Sequence, residues 1–425
     1  MLQQQFEKNQ SQKSPQWLAK LRQAKFDFYQ TQGLPTVSDE NWKYTNVKPI
    51  AKKEFRLGKP NEKFSPLRFT KDLEAVNVFV VNGHFHSMFN SDVEGLIIKS
   101  LRSAIQEKLP AIKKLNQQAD KIKHGFATLN TAFINDGIYL HLTKKTVLEK
   151  PIHIFYINTD SESVQYHRNL FIAESCSEAV IIEHYLSDNS ESYYSNSISE
   201  VYLEPSAVLN HIKIQQEAES AYHIATIKVQ QSANTVFNNY TVSLGGKLSR
   251  SDIEIALTEQ GASCGQYGLY LGHNRQHFDH HTYVGHEVPH CTSRQLYKGV
   301  LDNAARAVFN GKVYVYPNAV KSDSTQMNKN LLLSDKAEID TKPELEIYND
   351  DVLCSHGATV GQLDETQLFY LLSRGLDKST AESLLIYAFS CEVISSIKNK
   401  ALYEYLRNMI LQKLPAGEAV KELLK

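Results

Sequence analysis

The chain has 425 residues, with 46 basic and 47 acidic side chains for a net charge of −1, 42% hydrophobic and 22% charged residues. That length leaves room for about two or three domains, and the charge balance lacks the basic surplus that nucleic acid or an anionic membrane surface demands. The opening MLQQQFEKNQSQKS has no apolar core and no apolar run approaches the ~18 residues of a membrane span, so neither a secretory signal nor a spanning helix is expected.

Ser14-Pro15 predicts a helix start, with serine as cap and proline in the first helical position. Leu18, Leu21, Lys25 and Phe28 follow at helical spacing, the lysine contributing its stem, and Gly33-Leu34-Pro35 ends the run. Asn41-Trp42-Lys43-Tyr44-Thr45 sits in a polar loop. Val76 to Val81 reads as a short strand, and residues from about 93 to 133 as mostly helical with an interruption at Pro110.

After Asp136-Gly137 the texture changes. Short β-rich runs recur at Ile138–Leu142, Ile152–Ile157, Asn169–Ile172, Ala179–His184, Ser199–Leu203, Ala207–Ile214, His223–Gln230, Thr235–Ser243 and Ser251–Leu257. Many alternate, as Ile253, Ile255 and Leu257 do, and the linkers are short and polar. Crossover helices of a dozen residues have no room, which disfavours a βαβ sheet. A sandwich, a large barrel and a stacked solenoid remain, and the eye finds only weak sequence repeats to choose among them.

Helical patterning returns near the end. Asp364 stands three residues before Gln367 as in a capping box, Leu368, Leu371 and Leu372 follow, and Gly375 stops the helix. A second helix starts near Asp377 or Ser379 with a stripe of Ala381, Leu384, Leu385, Ala388 and Phe389. A third carries Leu402, Tyr405, Leu406, Met409 and Ile410, closed by Leu414-Pro415-Ala416-Gly417. The expected division is a mostly helical region over 1–136, a β-rich core over 137–356 and a helical domain over 357–425.

Several motifs bear on chemistry. Gly261-Ala262-Ser263-Cys264-Gly265 matches the G-x-S-x-G elbow of serine hydrolases, but a β-like run follows it where that elbow requires a helix, so a turn between strands is the better account. Six histidines crowd between 273 and 290 (His273, His277, His280, His281, His286, His290), without an acid or cysteine at a spacing that completes a zinc pattern. Each Gly-Lys pair lacks the following Ser or Thr, so there is no phosphate-binding loop of that class. The five cysteines, Cys176, Cys264, Cys291, Cys354 and Cys391, are scattered and odd in number, which speaks for a reducing cytoplasmic location rather than a disulfide framework. The most informative string is Asp350-Asp351-Val352-Leu353-Cys354-Ser355-His356-Gly357-Ala358-Thr359-Val360-Gly361. In an extended chain Cys354 and His356 project from one side, and thiol with imidazole suits iron, iron–sulfur clusters or zinc. Two ligands do not close a four-ligand shell, so distant residues or another chain must join them.

From Cys291 to Phe389 the chain resembles the SufB/SufD family of iron–sulfur cluster assembly scaffolds. The matching pieces are Cys291-Thr292-Ser293-Arg294-Gln295-Leu296, Ala307-Val308-Phe309-Asn310-Gly311, Asn330-Leu331-Leu332-Leu333, Thr341-Lys342-Pro343-Glu344-Leu345-Glu346-Ile347, Asp350 to Gly361, and Phe369-Tyr370-Leu371-Leu372-Ser373-Arg374-Gly375. Trp42-Lys43-Tyr44-Thr45 and Leu129-Asn130-Thr131-Ala132-Phe133 extend it over nearly the whole chain. The length, Arg294-Gln295 and the Leu414-Pro415 ending are more similar to the SufD branch, and no N-terminal cysteine-rich motif of the SufB kind is visible.

The resemblance implies a mainly β fold, a right-handed parallel β-helix flanked by N-terminal and C-terminal helical regions. It implies a scaffold subunit, not an enzyme, in a complex with SufB and the ATPase SufC. That complex receives sulfur from a persulfide donor, builds a transient iron–sulfur cluster and passes it to apo-proteins. His356 is then expected at the SufB interface as a ligand shared with a SufB cysteine, with Cys354 as a less defined second ligand. Phe369, Tyr370, Arg374 and Gly375 are expected to present the SufC contact. Reduced flavin accompanies some complexes of the family, though no flavin motif is visible here. An exposed β-helix face also permits a homodimer of the isolated chain. The competing reading is a metal-dependent enzyme built on the His273–His290 cluster, and a transporter permease is disfavoured for want of a spanning segment.

Overall fold

Strands of about ten residues joined by short turns can satisfy their backbone groups only by pairing with the strand one full turn later. The computed structural model, which describes residues 2–11, 14–67, 75–397 and 399–425, shows this arrangement. Successive strands alternate between two ten-stranded sheets. One sheet runs from Leu96–Ser100 and Ile138–Leu142 through Ser163–Ala173 and onward to Glu338–Ile347. The other starts with the His84–Phe89 and Val76–Val81 pair, continues through Ile152–Asn158 and ends on Leu353–Gly361. Pairing along the solenoid is parallel throughout, with antiparallel pairs confined to the first end. Tyr222 pairs with Leu248 and Arg306 with Glu338, steps of 26 and 32 residues. The product is a parallel β-helix of about eight turns with helices at both chain ends. No described helix is long and apolar enough to cross a membrane.

One corner of the solenoid explains why the repeat is hard to see in the sequence. Lys145, Cys176, Ser206, Asn234, Gly261, His290 and Lys321 occupy that corner, one per turn, all with φ between 56° and 76°. The left-handed conformation costs a non-glycine residue about 1–2 kcal/mol. Hydrogen bonds to the following turn offset it: the Cys176 N–H donates to the Pro205 carbonyl (3.1 Å), Ser206 to Ala233 (2.8 Å) and Lys321 to Asp351 (2.7 Å). Because the stack, not the side chain, imposes the conformation, lysine, cysteine, serine, asparagine and histidine all serve.

The two outer faces are covered separately. Phe6 and Phe26 stack at 3.9 Å and, with Phe133, pack on Val164, Tyr166, Tyr194 and Tyr222 of the first sheet. Trp42 lies beneath the Arg250 guanidinium at 3.7 Å, itself held by Asp252 (2.7 Å) and Asp279 (2.8 Å). On the second sheet, Ile182, Ile212, Val242 and Leu269 pack against Ile386, Val393, Leu406 and Ile410 of the C-terminal helices.

Seven of the nine β-rich runs lie wholly in strands and two start one residue early, at Ala207 and Thr235; Gly261-Ala262 closes a turn and Ser263, Cys264 and Gly265 already belong to the Ser263–Gly272 strand. Helical details differ more. The Gln16–Gln32 helix has Pro15 rather than Ser14 at its cap, and the Ser14 hydroxyl instead accepts from Arg22. Its buried line is Leu18, Arg22 and Phe26, leaving Phe28 exposed, because the Phe6 ring draws the contact one step along the helix. Residues 93–133 are mixed, with a strand at Leu96–Ser100 and α-helix only at Leu101–Gln106 and Gly125–Ala132. In the Lys378–Ile394 helix the buried face is Thr380, Ala381, Ser383, Ile386, Tyr387, Ser390, Val393 and Ile394; Ala388 is exposed, since the helix is clamped between the sheet and its neighbouring helices. Leu2–Gln10 and Gly417–Leu423 are further helices.

One buried ion pair ties the helical region to the first sheet. The Glu200 carboxylate accepts from Arg168 (2.7 Å) and from the backbone N–H groups of Asn116 (2.7 Å), Gln118 (2.9 Å) and Ala119 (3.2 Å). Glu200→Ala strands a buried guanidinium and is expected to cost about 3–5 kcal/mol in urea unfolding. Glu219→Ala, which removes an exposed partner of His273, is expected to cost less than about 1 kcal/mol in the same assay.

Candidate ligand site at the open end of the solenoid

The Leu353–Gly361 strand is the last rung of its sheet and pairs on one side only, with Asp323–Leu332. In that neighbour Ser324, Gln326 and Asn328 are buried while Asp323, Thr325 and Met327 are half-exposed. Cys354 stands in register with Ser324, His356 with Gln326 and Ala358 with Asn328. The period of two therefore puts Cys354, His356 and Ala358 on the inward face. Since no rung follows, this face is the open top of the core.

Cys354 is half-buried against the cluster of Val313, Val315 and Ala319, while His356 is exposed. Burial pushes the Cys354 thiol up from its ordinary value; a Ser324 backbone hydrogen bond opposes this and Asp323 adds to it. Metal binding at Cys354 must therefore release a proton.

A column of polar side chains leads to His356 from inside. His211, Asn239, Gln266, Gln295, Gln326 and His356 stand in register on consecutive turns. Asn239 Nδ2 donates to His211 Nδ1 at 2.8 Å, Gln295 Nε2 to Gln266 Oε1, and Gln326 Nε2 to Gln295 Oε1 at 2.9 Å. Gln326 is fully buried and its Oε1 finds no partner. An orphan acceptor one rung, about 4.8 Å, below His356 suits the ring N–H of a metal-binding imidazole. Sequence reasoning did not single out Gln326; its signal is the stacking interval of about thirty residues back from His356.

The other predicted groups fall elsewhere. Glu365–Ser373 is a helix capped by Asp364, which accepts from the N–H groups of Thr366 (2.8 Å) and Gln367 (3.1 Å). None of its residues is buried; Phe369 is 72% and Tyr370 56% exposed. Arg374 lies 5.1 Å from the Tyr370 ring, and Gly375 turns the chain at φ 89°. The histidines of 273–290 do not converge. His273 pairs with Glu219, His277 with Thr45 and His281 with Asp279, whereas His280 and His286 face the interior. Among the described residues no three metal-ligating side chains form a group.

Comparison with known proteins decides the relationship. Residues 155–389 match the model described as "SUF system FeS cluster assembly, SufBD core domain", and residues 1–154 that of the "SufBD protein N-terminal region". The chain belongs to the SufBD family of iron–sulfur cluster assembly proteins. It is 32% identical over 410 residues to the SufBD family protein slr0076 of Synechocystis, covering 92% of this chain and 90% of that one. It is 30% identical to SufD of Escherichia coli over 91% of this chain and 90% of that one, and 25% identical to SufD of Bacillus subtilis over 94% of each. Nothing in the geometry supports the rival metal enzyme on the 273–290 histidines.

In this SufBD chain the interior histidines carry a stability consequence. Burial pushes His153 and His286 down to about 4 and His167 and His280 down to about 3. An unfolded histidine titrates near 6.5, so below that pH the unfolded chain binds more protons than the folded one. Stability is expected to be full above about pH 6.5 and to fall steadily as pH drops towards 4 and 3, read from urea midpoints across that range. His153→Gln should flatten the slope.

Proposed function

We propose that this chain is a SufD-type scaffold subunit that contributes part of an iron-binding shell and depends on a neighbouring subunit for the rest. One observation carries the reading. A thiol and an imidazole share the inward face of an edge strand, paired on one side only, at the open end of the β-helix, and among the described residues no third ligand stands beside them.

Edge strands offer unpaired backbone groups to another sheet. The edge Glu338–Ile347 strand of the first sheet carries Pro343, which has no N–H to donate, whereas Leu353–Gly361 contains no proline. A SufB β-helix adding its own strand to Leu353–Gly361 would cover the open core and bring its cysteine to His356. The cargo is iron and sulfide, held as a nascent cluster across the subunit boundary and released to apo-proteins. His356 would bind as neutral imidazole through one nitrogen, with the other steadied by Gln326.

ATP hydrolysis would come from SufC, docked on Phe369, Tyr370, Arg374 and Gly375. That helix rests on Lys378–Ile394, which is coupled to the second sheet by Lys298. The Lys298 ammonium donates to the Phe389 carbonyl at 2.9 Å and pairs with Glu392. Closure of the ATPase could shift the edge only if its closed state binds a different arrangement of the two scaffold subunits better than the resting one does. Reduced flavin takes no part in this scheme, and a reducing cytoplasm is the setting in which five free thiols persist.

In complexes co-expressed with SufB and SufC, His356→Ala is expected to leave assembly intact and bring iron and acid-labile sulfide to background. Normal iron and sulfide in that variant would rule out the ligand role. Phe369→Ala and Arg374→Glu are expected to weaken SufC capture in a pull-down by about tenfold or more, in a chain whose circular dichroism is unchanged. Undiminished capture would move the docking surface elsewhere.

A further inference from the structure

Near the first turns of the solenoid, far along the stack from Cys354 and His356, the N-terminal helices and the Ser163–Ala173 strand enclose a cleft of about 900 Å³. Lys8, Arg22, Arg56, Lys59 and Arg102 line it, and no carboxylate does among the described residues of its wall. Arg56 is answered from outside the cleft by Asp160 at 2.6 Å. Arg22 is not so answered. It is 2% exposed, and its guanidinium donates only to neutral oxygens, the Ile134 carbonyl at 2.7 Å and the Ser14 hydroxyl at 3.3 Å. Burial and then the like charge of Arg102 push it down to about 10. A buried guanidinium without a counter-charge is unfavourable unless something else supplies the anion.

Two further groups make the same demand independently. Asn9 is 1% and Gln165 3% exposed, both line the cleft, and Asn9 Nδ2 and Gln165 Nε2 have no hydrogen-bond partner among the described residues. Both orphans are donors, which an acceptor-only group such as phosphate satisfies. Part of the remaining wall is apolar, with Leu18, Ile105, Phe133 and Tyr166, and part is neutral and polar, with Gln5, Asn82 and Asn135 among others. A free inorganic anion would leave that surface wet, and the volume is that of a small-molecule site. Nucleic acid would need a longer basic track than a single cleft in a chain of net charge −1.

We propose that this cleft binds a phosphate-bearing organic molecule of nucleotide size, its phosphate held by Arg22, Asn9 and Gln165 and its ring against the apolar wall.

Isothermal titration of the full chain with ADP and with inorganic pyrophosphate tests this. Saturable one-to-one binding of ADP is expected, tighter than that of pyrophosphate. The rim variant Lys8→Gln/Lys59→Gln, which alters only exposed side chains, should weaken it by about tenfold, equivalent to about 1.4 kcal/mol. Arg22→Gln should abolish it, with circular dichroism as the check on folding; if that variant fails to fold, the rim variant decides. Absence of heat with both probes would overturn the site. So would rim-variant affinity equal to wild type. Equal affinity for pyrophosphate and ADP would overturn the organic half of the assignment.

Discussion

Every feature of this molecule depends on one constraint, the in-register stacking of parallel strands about thirty residues apart. Backbone groups along the strands pair with the turn before and the turn after, as Val208–Gln216 does with Glu178–Ser187 and Val236–Ser243, so a turn is stable only between neighbours. The constraint fails at the last turn. Leu353–Gly361 has a partner on one side only, and its inward residues meet no further rung. The open end is therefore where the fold is incomplete and where Cys354 and His356 are found.

The interior is not uniformly apolar. Near the left-handed corner, one column of the second sheet holds Ala179, Leu209, Phe237 and Cys264, which join Ile253, Ile255 and Val284 in the main core. Deeper in, Glu183 accepts from Tyr156 (3.1 Å), Asn169 (3.4 Å) and His211 (3.1 Å), and Lys213 donates to Ser251 at 2.7 Å. Stacking makes such a lane tolerable, because an amide directly above an amide can donate downward and accept from above, as Gln326 donates to Gln295 and Gln295 to Gln266. The lane ends at Gln326, whose spare acceptor lies beneath His356.

The helices divide the remaining work. The N-terminal region covers one outer face and builds the basic cleft; the C-terminal helices cover the other and expose Phe369 and Tyr370. Neither covers the terminal edge. The outer faces of the sheets are covered while the terminal strands Glu338–Ile347 and Leu353–Gly361 are paired on one side only, and the Glu365–Ser373 helix has no buried residue.

Local chemistry alone determined much of this protein. Alternation at Ile253, Ile255 and Leu257 marked strands, the Asp364 cap and the Gly33 and Gly375 stops bounded helices, and the two-residue interval set Cys354 and His356 on one face. Each of these depends on neighbours within a few residues. Tertiary structure decided that this face points inward, that Gln326 stands below His356, that Arg22 rather than Phe28 is buried, and that the 273–290 histidines scatter over two faces. Those outcomes come from contacts between residues about thirty or more apart, where a left-handed corner accepts Lys145, Cys176 or His290 alike and so leaves no repeat in the sequence to read.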